Sequence, residues 1–431
     1  MNKKFKYIIV GGGIAGLHIG ALLSQHGRTL VLEKTAQIGG RAKVNEIKGF
    51  KLDFGPHPIR FGPKSDLAKS LREINKPIEF IKPGDFWAFL DDGTKTIFPA
   101  GGVEQIKNSK MVPFKETMAL IVKIMSKMKS KDFEALYNVS LKDWWNQENL
   151  SLELRKFLKM VSSSIQVNPF PERSSAGEIL ENIKNVLKKG SIFYPKGGWN
   201  EIFRRFKEKI EDNGEIKLKT EVEEIILEDS KAVGVRTKEN TFFGKLIVST
   251  IPVQQLFTIL DKSKCDQNFV LKCKELRPTA GISIDYCLPH RITEKDFIFF
   301  EKPLAFGFVP SNLSPEIVPE GYSLMSFFRA VNVEDIEEKT QANKLCEELK
   351  NTIYRFFPSI KKEKIYERIL FFPMVDGVEV NIHQHRLNRP GNRMPNIKNF
   401  FITGDSCGGS GAGGDVGHTS VREGYKNILK S

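Results

Sequence analysis

One run near the start of the chain, Lys6-Tyr-Ile-Ile-Val-Gly-Gly-Gly-Ile-Ala-Gly-Leu17, limits what the rest can fold into. Its apolar β-formers predict a strand, Gly11, Gly13 and Gly16 a tight turn, and the apolar pattern up to Gly27 a helix. A second apolar run, Thr29-Leu-Val-Leu, ends on Glu33, 20 residues after Gly13. This strand, turn, helix and strand have the spacing of a dinucleotide site. Gly11 permits the turn, Gly13 lets a pyrophosphate approach the backbone, Gly16 lets helix and strand pack closely, and Glu33 can accept a ribose hydroxyl. The helix start adds N–H groups and a positive dipole end for the phosphates. By itself the unit serves NAD and FAD equally.

A chain of 431 residues with 40% hydrophobic content can bury large cores, and its length predicts two or three domains. No window approaches the roughly 18 to 20 consecutive apolar residues of a membrane span. The first apolar segment is read as a strand of the nucleotide unit and not as a signal peptide, so a cytoplasmic protein is expected. Cys265, Cys273, Cys287, Cys346 and Cys407 show neither CxxC nor metal-ligand spacing, which predicts reduced thiols and no metal. The net charge of +14 comes mostly from scattered Lys, without a nucleic-acid module or an aromatic-interleaved basic stripe, so no nucleic-acid partner is expected.

Further along, Gly39-Gly40-Arg41 leads into two short strands around Lys48-Gly49, then a Gly- and Pro-punctuated loop holding Gly55, Pro56, His57 and Arg60. Ser65 to Asn75 reads as a capped amphipathic helix, and Phe86 to Phe98 as a hairpin turning at Asp91-Asp92-Gly93. Residues 109–190 are mainly helical. Within them Lys115 to Lys131 places Met118, Ile121, Val122, Met125 and Met128 on one face, with Lys123, Lys127 and Lys131 on another. Such a stripe usually faces a core; the alternative is peripheral association with an anionic membrane. A helix from Asn200 to Glu211 and strands up to Thr250 resume the nucleotide-binding sheet. Gly281 to Leu288, Phe297 to Phe308 and Tyr322 to Val331 read as strands, and Asp335 to Phe357 as one long helix. A strand ending at Gly404-Asp405 then delivers an acid to a Gly-rich loop, Gly408 to Gly414, and a terminal helix begins near Asp415 to Gly417.

Four separated segments together resemble the flavin amine oxidase superfamily, which includes protoporphyrinogen oxidases and phytoene-type desaturases. They are Val10 to Gly16 with Glu33-Lys34 and Gly39-Gly40-Arg41; Tyr194-Pro-x-Gly197-Gly198; Thr220-x-Val222 with Ile247 to Thr250; and Phe400 to Asp405. Their order matches the family over essentially the whole length. The resemblance implies an α/β fold: a Rossmann-type, glutathione-reductase-like FAD-binding domain from residues 1–78, 191–264 and 390–431, and an α+β substrate domain with a helical block from 79–190 and 265–389. It implies FAD as the cofactor. The residues implied to hold it are Gly11, Gly13, Ile14, Ala15, Gly16, Glu33, Lys34, Gly40, Arg41, Gly55, Pro56, His57, Val222, Thr250, Gly404, Asp405, Gly414, Asp415 and Val416.

The reaction implied is hydride removal from a largely apolar small molecule, favoured as an isoprenoid or carotenoid-type desaturation because the Gly408 to Gly414 loop resembles those enzymes. Alternatives are a protoporphyrinogen-type oxidase, whose propionates Arg60 could receive, an amine oxidase, a flavin-dependent isomerase and a non-catalytic flavin-binding partner. No flavin-facing aromatic pair stands out between Asn381 and Asn399, which argues against an amine. His57, Arg60 and His418 are the expected catalytic residues: the two His are the titratable groups placed near the flavin, since His suits proton transfer near neutral pH, and Arg60 either steers an acidic or carbonyl-bearing substrate or serves as an ion-pair partner. The sequence leaves open the electron acceptor, whether oxygen, a quinone or a redox protein, and the oligomeric state.

Overall fold

The opening strand β1 (Phe5–Val10) sits inside a seven-stranded sheet in a computed structural model that describes residues 5–100 and 102–431. Helix α1 (Ile14–Ser24) carries the chain to β2 (Thr29–Leu32), which pairs parallel with β1 on one side and with β3 (Gly214–Lys217) on the other. Strands β4 (Val222–Glu228), β5 (Lys231–Thr237) and β6 (Thr241–Ser249) form an antiparallel meander. The second half of β6 then runs parallel between β1 and β7 (Phe400–Ile402). The inner strands are buried on both faces, which is why Tyr7 to Val10 and Thr29 to Leu32 read as continuous apolar runs rather than alternating ones. Helix α1 and the terminal helix α2 (Gly414–Leu429) cover one face side by side. Residues 1–4, at the start of the expected first segment, lie outside the described residues.

The other large sheet is mixed, in the order 366–372, 280–288, 323–331, 305–308, 297–300, 86–89, 95–97. Its two faces separate by the period of a strand. Ile298, Phe300 and Phe327 pack under the helix Lys339–Phe356, whereas Phe297, Phe299, Phe306 and Phe328 point to the opposite side, toward the helical block of residues 103–189.

Three expected elements are divided. Lys115 to Lys131 is a helix over Phe114–Val122, a π turn over Lys123–Lys127 and a new helix over Ser130–Ala135. Met128 turns extended, with its carbonyl bound by Lys184, and the Asp132 carboxylate accepts from the Lys129 amide at 2.6 Å to start the next helix. Asp335 to Phe357 breaks at Glu338, whose carboxylate accepts from the amides of Thr340 and Gln341. Phe297 to Phe308 is a hairpin of two four-residue strands. Two features escaped the sequence reading: the strand Tyr366–Phe372 and a small sheet joining 59–60, 192–195 and 80–81.

Candidate functional site

The glycines of the first turn divide by what a side chain would strike. At Gly16 a Cβ would lie 1.9 Å from the Gly11 carbonyl oxygen, so this glycine is required for the contact of α1 with the turn. Gly11 itself has φ +103°, a conformation that L side chains rarely adopt. At Gly13, by contrast, the nearest atom is the Gly40 Cα at 3.9 Å, and at Gly414, the first residue of α2, nothing lies within 4 Å. Both glycines line a cavity of about 830 Å³. Two long helices thus start at bare backbone on the wall of one cavity, the arrangement that holds phosphate and a developing negative charge. A cradle with no Cβ, a buried acid at the end of β2 and a large cavity beyond them fit an FAD.

Glu33 accepts from the Gly12 and Thr35 amides, both at 2.8 Å, which fixes its carboxylate at the cavity edge. Arg41 pairs with Asp405 at 2.7 Å and donates to the Val375 carbonyl at 2.8 Å; Asp405 also accepts from the Gly377 amide at 2.7 Å. Burial alone would raise the Asp405 carboxyl, but Arg41 and that amide hold it below the usual range. Beside this pair lies Asp376, whose Oδ2 is buried without a hydrogen-bond partner among the described residues. Burial, reinforced by the charge of Asp405, pushes its carboxyl up to about 7, against Arg41 and Arg389. Arg389 is fully committed: it makes a two-pronged bond to Glu178 and holds the Gly409 carbonyl, which ties the Gly-rich loop to the helical block.

Of the expected cofactor residues, Gly11, Gly13, Ile14, Ala15, Glu33, Lys34, Gly40, Arg41, Gly55, Pro56, His57, Val222, Thr250, Asp405, Gly414 and Asp415 line the cavity. Gly16, Gly404 and Val416 do not. Gly16 packs against the turn, Gly404 holds a backbone at φ +141°, and Val416 is buried behind the wall. Helix α2 starts at Gly414, earlier than expected, so Asp415 and Val416 belong to its first turn.

The three expected catalytic residues all reach the wall, in different states. Arg60 is buried, pairs with Asp415 at 3.4 Å and donates to Asn182 Oδ1 at 3.0 Å, the ion-pair reading, and so anchors the start of α2 to the helical block. Burial lowers the His57 imidazole, and its Nδ1–H donates to the Gly55 carbonyl at 2.6 Å, leaving Nε2 as a lone pair. His418 is held down to about 4 by burial, and its Nδ1 meets Nδ1 of His18 at 3.3 Å.

Beyond these groups the cavity changes character. From Phe86 to Ile192 and from Phe297 to Val375, the wall contains no charged side chain among the described residues; Thr117, Ser164 and Ser191 are its polar members there. Of the stripe read as core-facing, Ile121 is on this wall while Val122 is 51% exposed, because the buried face is rotated to Thr117, Leu120 and Ile124, which line the cavity together with Phe297, Phe299, Phe306 and Phe328. The alternation of Phe along residues 297–308 was a visible signal for that face. Asp376 and His18, missed in the sequence, had none, because their partners lie far away in the chain.

Comparison with known proteins gives the same picture. Residues 14–267 match the family of flavin-containing amine oxidoreductases. The chloroplastic prolycopene isomerase of Daucus carota is 25% identical over 479 residues, covering 94% of this chain and 77% of that protein. A 4,4'-diapophytoene desaturase (4,4'-diapolycopene-forming) of Methylomonas sp is 26% identical over 374 residues, covering 74% and 71%. An oxidoreductase from Methanosarcina mazei superposes with a TM-score of 0.83 at 18% identity, over 99% of this chain and all of the other.

Proposed function

Because this chain belongs to the flavin-containing amine oxidoreductase family, we propose that it dehydrogenates a long apolar molecule of isoprenoid or carotenoid type. It is an FAD-dependent oxidoreductase, and the flavin, when bound, supplies the hydride acceptor. The observation that carries the substrate class is the uncharged wall from Phe86 to Ile192 and from Phe297 to Val375. An amine held there as a cation would be desolvated without a counter-charge, and propionates would be buried without a cation, each at a cost of several kcal/mol by the general penalty for buried ions. A hydrocarbon gains instead from every methylene it removes from water, about 0.8 kcal/mol each. The names of the carrot and Methylomonas relatives support the same class.

The chain's own contribution is then to orient a flexible molecule, exclude water and offer one base. We assign that base to His57, which is neutral, fixed by Gly55 and edge-on to Trp199, with its Nε2 lone pair available. Anaerobic addition of an acyclic C30 or C40 polyene precursor is expected to bleach the flavin and to yield a product two hydrogens lighter per step. Product of unaltered mass would move the assignment to isomerisation. Turnover of a porphyrinogen or an amine, with none of any polyene, would overturn it.

Such a substrate partitions into membranes, and a second surface supports access from there. No helix among the described residues is long and apolar enough to cross a bilayer. Yet the helix Phe114–Val122 lines the cavity with Leu120 and Ile121 while leaving Phe114 at 42% and Val122 at 51% exposure, in a segment that also carries Lys115, Lys123 and Lys127. The protein is expected to float with liposomes containing anionic lipid at low salt and to be released as salt is raised. Protein that stays at the bottom of the gradient at low salt removes membrane association from the reading.

A further inference from the structure

The two helices that start at the cavity wall touch through a pair of imidazoles. His18 lies on α1 and His418 on α2, 400 residues apart, with their Nδ1 atoms 3.3 Å from each other and their rings 5.4 Å apart and tilted by 54°. His18 is wholly buried and stacks on Phe206, with ring centroids 5.2 Å apart and 15° between planes. Its other nitrogen, Nε2, is buried and meets no partner among the described residues. His418 lines the cavity wall, and its Nε2 has no hydrogen-bond partner among the described residues.

The proton count follows from these contacts. Burial holds both rings neutral, so each carries one N–H. One of the two facing Nδ1 atoms must donate and the other accept. If His418 donated, the single proton of His18 would sit on Nε2, a buried N–H with no acceptor, which is a rarer and costlier state than an unmatched lone pair. If His18 donates, its Nε2 is that lone pair, the Nδ1 of His418 accepts, and the His418 proton is placed on Nε2, on the cavity side.

We propose that His18 is a positioning residue which fixes His418 as a neutral Nε2–H donor on the wall of the cofactor cavity, there to hydrogen-bond the bound flavin. The role toward flavin rests on the family reading above; the arrangement of protons does not. A donor so placed favours the flavin state that carries more negative charge, the reduced one. It also separates the two cavity histidines by chemistry: His57 presents a lone pair and His418 a proton, each fixed by the partner of its Nδ1.

Two measurements on the FAD-loaded protein test this. In long-range proton–nitrogen correlation spectra of protein labelled with ¹⁵N-histidine, His18 is expected to show a protonated Nδ1 and bare Nε2, and His418 a bare Nδ1 and protonated Nε2. His18→Gln and His418→Gln identify the signals by their loss. The reverse pattern overturns the proposal. In potentiometric titration, His418→Phe and His18→Phe are both expected to lower the flavin midpoint by about 30 mV, a tenfold loss of preference for reduced flavin in a two-electron couple. His418→Gln, which keeps an N–H donor, is expected to recover part of the shift. His18→Phe protein with bound flavin and an unchanged midpoint also overturns it. Protein that takes up no FAD in any form overturns the flavin reading instead, and is recognised by absorbance before either measurement.

Discussion

Gly16→Val is expected to give a folded chain that purifies without flavin, with FAD affinity reduced at least about a hundredfold, because the change strikes backbone. The first added carbon would stand 1.9 Å from the Gly11 carbonyl oxygen, 3.0 Å from the Gly11 carbonyl carbon and 2.9 Å from Thr250 Oγ1. Thr250 could rotate only by giving up its bonds to the Val10 and Gly11 carbonyls, and the peptide that carries the Gly11 carbonyl is held by the Gly12 amide on Glu33, with the Gly11 amide on the Leu32 carbonyl. Relief therefore requires α1 to lift away from the turn, which carries the amides at Gly13, Ile14 and Ala15 away from where a diphosphate would meet them. Overpacking of this kind costs about 1–3 kcal/mol in stability when side chains can adjust and more when they cannot. Gly20→Ala is the matched control on the same helix. There the Cβ meets the tips of Val31 and Ile210 at 3.1 and 3.3 Å, side chains able to give, and flavin content per chain should stay near that of the parent. Gly16→Val protein carrying a full complement of FAD would show that this contact does not set the cofactor cradle.

Local signals carried much of the fold into the sequence. The turn of Gly11 to Gly16 announces its unit because three glycines and an acid at fixed separations have few other uses. Ser65 caps its helix by accepting from the Ala68 amide, as its position before an amphipathic run suggested. Where two elements share one apolar stripe, the signal fails. The periodicity of Lys339–Phe356 continues back through Val333–Glu337, and the break between them depends on the Glu338 carboxylate binding backbone amides. The second sheet was less legible still. Strand 297–300 pairs in parallel with 86–89, more than 200 residues away, and nothing in either run specifies the other. The site repeats this division. Residues that offer bare backbone to the cavity, such as Gly13 and Gly414, are visible as glycines. Those whose state depends on a distant partner are not: of the two readings of Arg60, the ion pair could be given a partner only once Asp415 was found 3.4 Å away.

Asp376 is the clearest case of a group whose meaning comes only from its surroundings, and it predicts a pH dependence. Its carboxyl is raised to about 7 by burial and by Asp405. The facing cations offset this only in part, since Arg41 is paired with Asp405 and Arg389 with Glu178. A diphosphate entering beside Arg41 adds negative charge near the same carboxyl, so an ionised Asp376 opposes binding and a protonated one does not. Below about pH 7 the acid is already protonated and FAD affinity should be flat. Above it, FAD binding is coupled to proton uptake, and affinity should fall with rising pH by up to about tenfold per pH unit. Asp415, raised to about 6 by burial, is partly offset by Arg60 and so contributes less slope in this window. Asp376→Asn keeps the shape and removes the charge, and its affinity, measured by quenching of flavin fluorescence, should stay level from pH 6 to 9. The apoprotein carries the same sign: a carboxyl that holds its proton more tightly when folded loses stability as pH rises from about 4, its unfolded value, to about 7. Asp376→Asn should therefore melt higher than the parent above pH 7 and alike near pH 4. A slope that survives in Asp376→Asn would assign the proton to another group and leave this acid a bystander to the phosphates.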